Sequence, residues 1–458
     1  MGFKFPTSSI LIFLFSLYYP LEGFSQWKAG TAKTIITPSE SMWLAGYAAR
    51  NHPSEGMIHE LWAKAVALED SSGNKAVLVT ADLIRFHKPL TDEIKKQLQK
   101  KYGLSEAQII LNASHTHSGP EVNPEKIRFQ IGPEQTDKIV RYSAHLTTQI
   151  VSLVGEALKN MTPVTLHAGN GTARFAVNRR TNVEADINQQ KTKYLQGPHD
   201  HAVPVLKIAG KDGKLLAVVF GYACHPTVLA GYDWSGDYAG FAQYDLEDSF
   251  PGATFLFFQG AAGDQNPLPR RSVTLARQYG RTLAASVKQV LEEESSMKSL
   301  PARLSVAYSE IELSAARGVP TADELHKVLA DNSGHPGWIK DNARALLEQL
   351  KKEGSLPPIY AYPVQVWNAG GHGIIALSSE VVVDYAIQLK RIFGQHIFVM
   401  GYSNDVTGYI PSARVLEEGG YEGDRSYLFT SPWRSDIESR IINEVIRLSD
   451  QTGIPYSR

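Results

Sequence analysis

Two histidines separated by one residue, His115 and His117, offer the clearest chemistry in this sequence. They follow the apolar run 108–111 and precede Gly119-Pro120, so the pattern predicts a strand that ends in a sharp turn. Because residues i and i+2 of an extended chain point to the same side, both imidazoles are expected to leave the strand together. Such a pair suits a metal site or acid–base catalysis. The pair alone still favours the competing interpretation, two polar residues in a solvated loop.

Further candidates share the same setting, just beyond a predicted strand or at the start of a helix. They are His225, Glu380 and Tyr409. In a layered α/β fold such ends gather on one rim, which is where ligands bind. Two histidines and a carboxylate are a zinc-hydrolase ligand set that leaves room for an activated water. Helix capping is the alternative for Glu380, with Ser379 predicted as the N-cap and Glu380 in the first helical turn.

Other motifs carry weaker signals. Arg179 and Arg180 follow a short predicted strand and could clamp a carboxylate or phosphate, although solvated surface charge is the commoner interpretation. The Gly-rich loop 259–267 lacks the Lys-Ser/Thr ending of a phosphate-binding loop, so it does not indicate a nucleotide site. Cys224 and His225 are adjacent and would point to opposite faces of a strand, which argues against a nucleophile–base pair.

Composition indicates a globular protein with one large domain. The chain has 458 residues, of which 43% are hydrophobic and 20% charged, so a sizeable core is expected. A formal net charge of −1 gives no general attraction to nucleic acid or to an anionic membrane, and no nucleic-acid partner is predicted. No stretch of the sequence approaches the ~18 apolar residues of a transmembrane helix.

The N-terminus, residues 1–25, is predicted to be a cleaved signal peptide. Lys4 supplies the positive end, residues 10–19 form a short apolar core, and small residues near position 25 suit cleavage. The mature protein, residues 27–458, is therefore expected to be secreted or periplasmic. Cys224 is the single cysteine, so no internal disulfide is possible.

The elements that must position these residues alternate between strands and helices. Amphipathic helices are predicted over 89–101 and 134–160, and a hairpin is predicted across the turn 210–213. This alternation predicts an α/β (α+β) fold, a layered αββα-type sandwich in a single large domain. The charged segment 314–358 is predicted to be a helical insertion.

Taken together, the motifs resemble the neutral/alkaline non-lysosomal ceramidase family, specifically its N-terminal catalytic domain, from about Ala29 to Phe429. Each block alone is weak, and their order along the chain carries the resemblance. The blocks are Gly46-Tyr47-Ala48, Gly56-Met57-Ile58-His59, Ser114-His115-Thr116-His117-Ser118-Gly119-Pro120, Asn178-Arg179, Cys224-His225, Gly263-Asp264, Glu380, Gly408-Tyr409 and Tyr421-Glu422-Gly423.

The resemblance implies a zinc hydrolase acting on a small-molecule or lipid-like substrate. It implies a set of metal ligands, namely His115, His225, Glu380 and Tyr409. It also implies catalytic residues: His117 and Tyr421 would stabilise an oxyanion, Arg179 would contact substrate, and Asp264 belongs to a shared motif. A tyrosine ligand is unusual because phenol titrates near about 10, but coordination to a dication would favour the phenolate.

Two departures from the family pattern keep alternatives open. Where the family has Gly-Asp-x-Ser-Pro-Asn, this chain places Asn266 at the serine position, and the family's C-terminal immunoglobulin-like domain is expected to be absent. The leading hypothesis is hydrolysis of an N-acyl, ceramide-like amide. The same metal site acting on an ester or a carbohydrate derivative is the second hypothesis, and a non-catalytic binding protein with a degenerate site is the third.

Overall fold

The computed structural model describes residues 1–3, 26–127, 129–188, 194–331, 337–424 and 431–457. The predicted signal peptide falls almost entirely on residues 4–25, which lie outside the described residues, so it stays a prediction. A search of the described helices finds none long and apolar enough to span a bilayer.

The strands, in chain order, are short to medium in length. They are β1 (Trp27–Ile35), β2 (Gly56–Met57), β3 (Trp62–Glu69), β4 (Lys75–Ala81), β5 (Ile109–Ala113), β6 (Thr162–Thr172), β7 (Ala176–Asn178), β8 (Ala202–Gly210), β9 (Leu215–Tyr222), β10 (Asp233–Trp234), β11 (Thr254–Gln259), β12 (Gln265–Pro267), β13 (Lys298–Leu300), β14 (Leu304–Leu313), β15 (Tyr360–Ala369), β16 (His372–Leu377), β17 (Glu380–Val381), β18 (Phe398–Met400) and β19 (Tyr409–Ile410).

The helices include the long amphipathic ones that the sequence predicts. They are α1 (Lys88–Tyr102), α2 (Pro124–Ile127), α3 (Pro133–Lys159), α4 (Glu184–Asn188), α5 (Asp237–Ser249), α6 (Val273–Glu292), α7 (Ala322–Ala330), α8 (Gly337–Glu353), α9 (Val383–Phe393), α10 (Ala413–Glu418) and α11 (Ile437–Thr452). The predicted helical segment 314–358 contains α7 and α8, which pack on each other through Leu325 and Leu346.

Two sheets stack face to face. The larger has the order β11-β9-β8-β6-β1-β3-β4-β5, with β13 beside β6, and the smaller has the order β14-β15-β16-β18. Their facing sides share one core, in which Trp27 and Leu78 of the larger sheet meet Trp367 and Phe398 of the smaller. Each fully buried large apolar side chain there stabilises the fold by about 1.5–3 kcal/mol.

Helices cover the outer face of each sheet. Alternate residues of β4 divide between the layers: Val77 and Val79 face the core beneath α1 and α3, whereas Leu78 faces the other sheet. A second outer core lies beneath α5 and α6, and α9 and α11 cover the smaller sheet. The layers are therefore helix, sheet, sheet and helix, and the predicted αββα sandwich is confirmed.

Two local predictions are wrong. Ser379 is not a helix N-cap, because it has a φ of +62° and Glu380 lies in β17, while α9 begins at Val383. The strand that precedes the histidine pair ends at Ala113, and His115 has a φ of +63°, so the two imidazoles are not brought together by an extended backbone. In both cases contacts with distant segments outweigh the local pattern.

Candidate functional site

Three histidine rings converge at one end of the sandwich. The ligand-type atoms of His115, His117 and His225 all lie within 4.8 Å of one another, and this is the cluster of potential metal ligands found in the described residues. The two Nε2 atoms of His115 and His117 are 3.3 Å apart. The predicted convergence of His115 and His117 is therefore observed, and His225 joins them from a different strand end.

Glu380 completes the cluster from β17, which follows β16 of the smaller sheet. Its Oε2 atom lies 3.3 Å from Nε2 of His115 and 3.1 Å from Nε2 of His225. All three side chains are buried. One carboxylate oxygen and two ring nitrogens thus point at a common small volume.

Backbone carbonyls fix the tautomers of two of the histidines. Nδ1 of His115 lies 2.7 Å from the carbonyl oxygen of Ile84, and Nδ1 of His225 lies 2.6 Å from that of Ala262. A ring nitrogen that faces a carbonyl must carry the proton, so each Nε2 presents its lone pair to the cluster. Metal-binding histidines typically show this arrangement. The donor set therefore fits a divalent metal ion.

His117 differs from the other two histidines. Its Nδ1 is buried and has no hydrogen-bond partner in the structure, so no backbone carbonyl fixes its tautomer. Its Nε2 is free to carry a proton and to donate a hydrogen bond, which a ring that binds a metal through Nε2 cannot do. The contacts agree with the predicted division of roles, in which His115 and His225 bind metal and His117 is a donor. That division stays a prediction.

Burial sets the protonation states that metal binding requires. It lowers the pKa of His225 to about 4 and that of His117 well below its usual value. Burial alone would raise the pKa of Glu380, but its contacts with His115 and His225 lower it well below the usual range. Burial thus favours the neutral form of His225, and the histidine contacts favour the ionised form of Glu380, and these are the forms that bind metals.

Asn112 holds the strand ends that carry the cluster. Its Nδ2 donates to the carbonyl of Gly401 at 2.7 Å, and its Oδ1 accepts from the amide of Gln259 at 2.8 Å. These bonds join the ends of β5, β11 and β18, so they fasten the larger sheet to the smaller one. His115, Ser379 and Tyr402 all have positive φ around this junction. Such costly conformations commonly cluster at functional sites.

Tyr409 lies next to Glu380. Strands β17 and β19 are parallel, with Glu380 directly opposite Tyr409, so the two side chains leave the same face. Tyr409 is buried, and its ring lies 5.2 Å from that of Tyr421, which is 60% exposed. This register is consistent with Tyr409 as a fourth ligand and Tyr421 as a group at the mouth of the site, and both assignments stay predictions.

Arg179 links these tyrosines to an acidic residue. Its guanidinium carbon lies 5.4 Å from the ring centre of Tyr409 and 5.6 Å from that of Tyr421. Its Nε donates to Glu422 at 2.8 Å, and Arg180 donates to the other oxygen of Glu422 at 2.5 Å. Burial would lower the pKa of Arg179, but Tyr409 and Glu422 raise it well above the usual value. The predicted substrate-contacting arginine is thus charged and held in place.

Asp264 contacts backbone and amide groups rather than the histidines in the hydrogen bonds observed. Its Oδ1 accepts from the amide of Val383 at 2.8 Å, at the start of α9, and its Oδ2 accepts from Nδ2 of Asn178 at 2.9 Å. Its own carbonyl accepts from the amide of Arg179. Burial raises the pKa of its carboxyl to about 6. These contacts favour a positioning role, and the predicted catalytic role stays untested.

Asn266, which replaces the family's serine, lies inside the site. It is in β12, paired opposite Val177, and its Oδ1 lies 3.4 Å from Nη1 of Arg179 and 3.5 Å from Oγ1 of Thr227. A cavity of about 490 Å³ opens here, lined by Arg179, Asn266 and Tyr421 among others. The amide therefore occupies a position from which it can contact a ligand.

Sequence reasoning missed several neighbours of the cluster. The ring of Tyr402 lies 4.3 Å from that of His115, and its buried hydroxyl has no partner. The ring of Tyr47 lies 4.8 Å from that of His117. Tyr402 follows strand β18 just as His225 follows β9, so its place at a strand end was the available signal. Cys224 is buried and its thiol pKa is raised well above the usual value, which disfavours a thiolate nucleophile.

Comparison with known proteins points to one family. Residues 27–267 match the family described as neutral/alkaline non-lysosomal ceramidase, N-terminal. Neutral ceramidase B of Dictyostelium discoideum is 26% identical over 266 residues, which cover 54% of this chain and 36% of that protein. The neutral ceramidase of Pseudomonas aeruginosa is 26% identical over 257 residues, covering 53% of this chain and 37% of that protein. The aligned part of the chain thus spans little more than a third of each relative's length.

Solved structures extend the likeness in fold to nearly the whole chain. A structure described as ceramidase complexed with C2 has a TM-score of 0.73 at 18% identity and covers 95% of this chain and 76% of that chain. The crystal structure of neutral ceramidase from Pseudomonas aeruginosa has a TM-score of 0.72 at 18% identity, covering 94% of this chain and 76% of that one. At this identity the likeness shows the fold. The family match ends at residue 267, before Glu380, Tyr409 and Tyr421.

Proposed function

Because the chain belongs to the neutral/alkaline non-lysosomal ceramidase family, as its motifs predict and the match over residues 27–267 shows, we propose that it is an exported, zinc-dependent hydrolase of N-acyl amides. The substrate class is a ceramide-like lipid or a smaller acylated amine. The observation that carries this proposal is the convergence of two tautomer-fixed histidines on Glu380.

The residues present suit zinc better than a hard cation. Two imidazoles and one carboxylate form a ligand set typical of catalytic zinc, whereas calcium and magnesium favour oxygen ligands alone. Bound at His115, His225 and Glu380, with Tyr409 as the proposed fourth ligand, zinc would supply a Lewis acid and make a water acidic enough to react near neutral pH.

The surrounding side chains have roles that follow from their contacts. The ring of His117 can donate a hydrogen bond to the oxygen on which negative charge develops, and the hydroxyl of the largely exposed Tyr421 can approach the same oxygen from the mouth of the site. Each such donor contributes about 2.7–4 kcal/mol to transition-state stabilisation in well-studied acyl-transfer enzymes. Arg179, fixed by Glu422, would orient a polar group of the substrate.

A second candidate, the same site acting on an ester or a carbohydrate derivative, is favoured by Asn266. The residue places an amide beside Arg179 where the family has a hydroxyl, so the polar contacts available to a substrate differ. A pocket that hydrogen-bonds one substrate group discriminates strongly against another that cannot pair with it. Asn266→Ser restores the family residue. If the chain is natively an amide hydrolase, the variant is expected to have a higher ratio of short-chain ceramide turnover to matched ester turnover.

Metal analysis joined to turnover tests the proposal. The purified mature chain should contain about one zinc ion and hydrolyse a short-chain N-acyl amide. His225→Ala should lose both the zinc and the activity. His372→Ala is the matched control, because His372 is also a buried histidine but lies outside the cluster.

Other outcomes of the metal analysis and the turnover assay would change the proposed function. Zinc bound without amide turnover, together with ester turnover, would replace the substrate class and keep the metal chemistry. A chain that takes up no zinc even after reconstitution would contradict the hydrolase proposal and leave the binding-protein hypothesis. Export is tested separately: the secreted chain should begin near residue 26, as determined by N-terminal sequencing.

A further inference from the structure

The ring of His117 lacks the bond that orients the other two histidines of the cluster. Carbonyl oxygens hold the rings of His115 and His225 through Nδ1, whereas Nδ1 of His117 is buried and has no partner. A hydrogen-bond donor in a catalytic site must stay close to its working position, because a displacement of about 1 Å can cost a factor of about 100 in rate. The contacts that hold the His117 ring come instead from the segment 45–50, which we call the Arg50 loop.

The backbone of the Arg50 loop packs directly on the His117 ring. A side chain on Gly46 would place its Cβ 2.6 Å from both Cγ and Nδ1 of His117, so only glycine leaves room for the ring. Gly46 also has a φ of +99°, a conformation that glycine adopts far more readily than other residues. The ring of Tyr47, the next residue, lies 4.8 Å from that of His117. The loop therefore forms one side of the space that the ring occupies.

Arg50 joins this loop to the backbone of His117. Its Nη1 donates to the carbonyl of Ala45, and its Nη2 donates to the carbonyl of His117 at 2.7 Å and to that of Gly231 at 2.9 Å. Ala45 begins the Arg50 loop, and Gly231 lies six residues after His225. One guanidinium group thus connects the loop, His117 and the segment that follows His225.

Arg50 is a buried cation without an acidic partner. It is 6% exposed, and no carboxylate of the described residues pairs with it. Its guanidinium carbon lies 5.0 Å from the ring centre of Tyr47 and 5.9 Å from that of Tyr232. Burial lowers its pKa to about 10, which leaves it charged at neutral pH. Because burying a charge costs free energy that an apolar residue would not lose, stability is a weak explanation for an arginine here.

We propose that Arg50 is a positioning residue that sets the orientation of the His117 ring, through the backbone of His117 and through the loop that contains Gly46. The amide of His117 donates to the carbonyl of Pro226 at 3.3 Å, so both backbone groups of His117 are bonded to neighbouring segments. Its Nε2 then lies 3.3 Å from Nε2 of His115, inside the cluster. The catalytic part of this inference rests on the proposed function, because it concerns the hydrogen bond that His117 would donate.

A double-mutant cycle tests the catalytic part. Arg50→Met removes the three hydrogen bonds, and kcat for a short-chain N-acyl amide should fall about 10- to 100-fold with zinc content and KM unchanged. Arg50→Lys keeps the charge but not the planar fork of donors, so it should lose activity in the same way. In a His117→Ala background, Arg50→Met should lower kcat by less than about twofold, since it acts through a ring that is already absent. Equal losses in both backgrounds would overturn the inference.

Gly46→Ala reaches the same ring by a second route. Its Cβ would displace the His117 ring, so kcat should fall about 10-fold or more while zinc is retained. Gly73→Ala is the matched control, because Gly73 has a similar φ of +85° but open space where a Cβ would lie. A Gly46→Ala variant as active as Gly73→Ala would show that the Arg50 loop does not position the ring.

Histidine NMR reports on the ring without any turnover. In the metal-free mature chain, labelled with carbon-13 at its 14 histidines, the ring signal of His117 is identified by its loss in His117→Ala. Arg50→Lys and Arg50→Met should shift or broaden this signal. Arg141→Lys, at an exposed arginine of α3, is the control and should leave the signal in place.

The two readouts separate this inference from the proposed function. An unmoved His117 signal in folded Arg50 variants would overturn the positioning role, whatever the chain hydrolyses. A displaced signal in a chain without amide turnover would overturn the proposed function and retain the positioning role.

Discussion

The two sides of the candidate active site are built differently. On the histidine side, His115 and His225 are buried and fixed by backbone carbonyls, and Glu380 contacts both rings. On the arginine side, Arg179 and Arg180 also donate to backbone carbonyls, but the charge that both share comes from one side chain, Glu422, and Tyr421 is largely exposed. Backbone partners cannot be lost by mutation, whereas side-chain partners can.

This difference indicates which side can vary while the chemistry is retained. The histidine side would hold the metal, and its geometry depends on the fold. The arginine side faces the cavity that contains Asn266, where this chain departs from its family. We therefore expect the metal chemistry to be the constant part of the site and the arginine side to set the substrate.

The largest expected effect comes from Glu380→Gln. The substitution keeps the shape of a buried side chain but removes the charge that faces two imidazoles, so the zinc content should fall from about one ion per chain to near zero. Glu422→Gln is the matched variant on the arginine side and should retain the zinc. Metal analysis after gel filtration gives the measurement. Equal zinc in both variants would remove the proposed distinction between the two sides.

Glu422→Gln should instead act on stability. The change leaves Arg179 and Arg180 without their shared carboxylate, and breaking a buried ion pair typically costs about 3–5 kcal/mol. Urea unfolding of the zinc-loaded variant measures the loss. A loss under about 1 kcal/mol would show that the pairs behave like exposed ones.

Asp264→Asn should remove part of the pH dependence of stability. Burial raises the pKa of Asp264 from its usual 3.8 to about 6 in the fold. A folded-state pKa above the unfolded one stabilises the fold below the unfolded pKa, and that contribution is lost as the pH rises through about 6. The loss between about pH 4 and pH 7 amounts to about 2 kcal/mol.

Because Asn does not titrate, the stability of the variant relative to the unmodified chain should rise by about that amount over the same pH range. Urea unfolding at both pH values measures it, and global pH effects cancel in the difference. Zinc content should be unchanged, in keeping with a positioning role. An unchanged difference between the two pH values would mean that the carboxyl has an ordinary pKa.

Tyr421→Phe should have the smallest effect on the folded molecule. The side chain is 60% exposed, so removal of its hydroxyl should change the free energy of unfolding by under about 0.5 kcal/mol. If the hydroxyl donates to the developing oxyanion, kcat should fall about 100-fold with zinc content unchanged. A lower affinity for substrate with kcat preserved would instead assign the tyrosine to binding.

The sequence predicted features that depend on local periodicity. The spacing of Leu90, Ile94 and Leu98 identified α1, and the hairpin of β8 and β9 lies where a Gly-rich turn separates two apolar runs. The rim of strand ends was also predictable, because strand termini gather at one end of a layered sheet. That reasoning correctly predicted that His115, His225 and Glu380 lie close together in the fold.

Features that depend on distant contacts escaped prediction. The left-handed conformation of His115 arises where its amide and its ring bond to the segment 83–84, and no local pattern reveals that partner. Ser379 resembled a helix cap because the local sequence does not reveal that Glu380 is a strand residue. Its strand partner, Tyr409, lies far away in sequence. The sequence places Tyr402 at a strand end, but its contact with the ring of His115 depends on how the two sheets pack.

The candidate ligands follow strands of both stacked sheets, and this placement also bears on the order of folding. His225 and Glu380 are 155 residues apart. Because His225 follows β9 of the larger sheet and Glu380 follows β16 of the smaller sheet, their contact forms only when the two sheets pack together. Forming such non-local contacts is slow compared with forming local ones. Metal uptake would therefore be a late event and would mark completion of the tertiary structure. A chain still emerging from the ribosome, with residue 380 not yet made, could not assemble the full site.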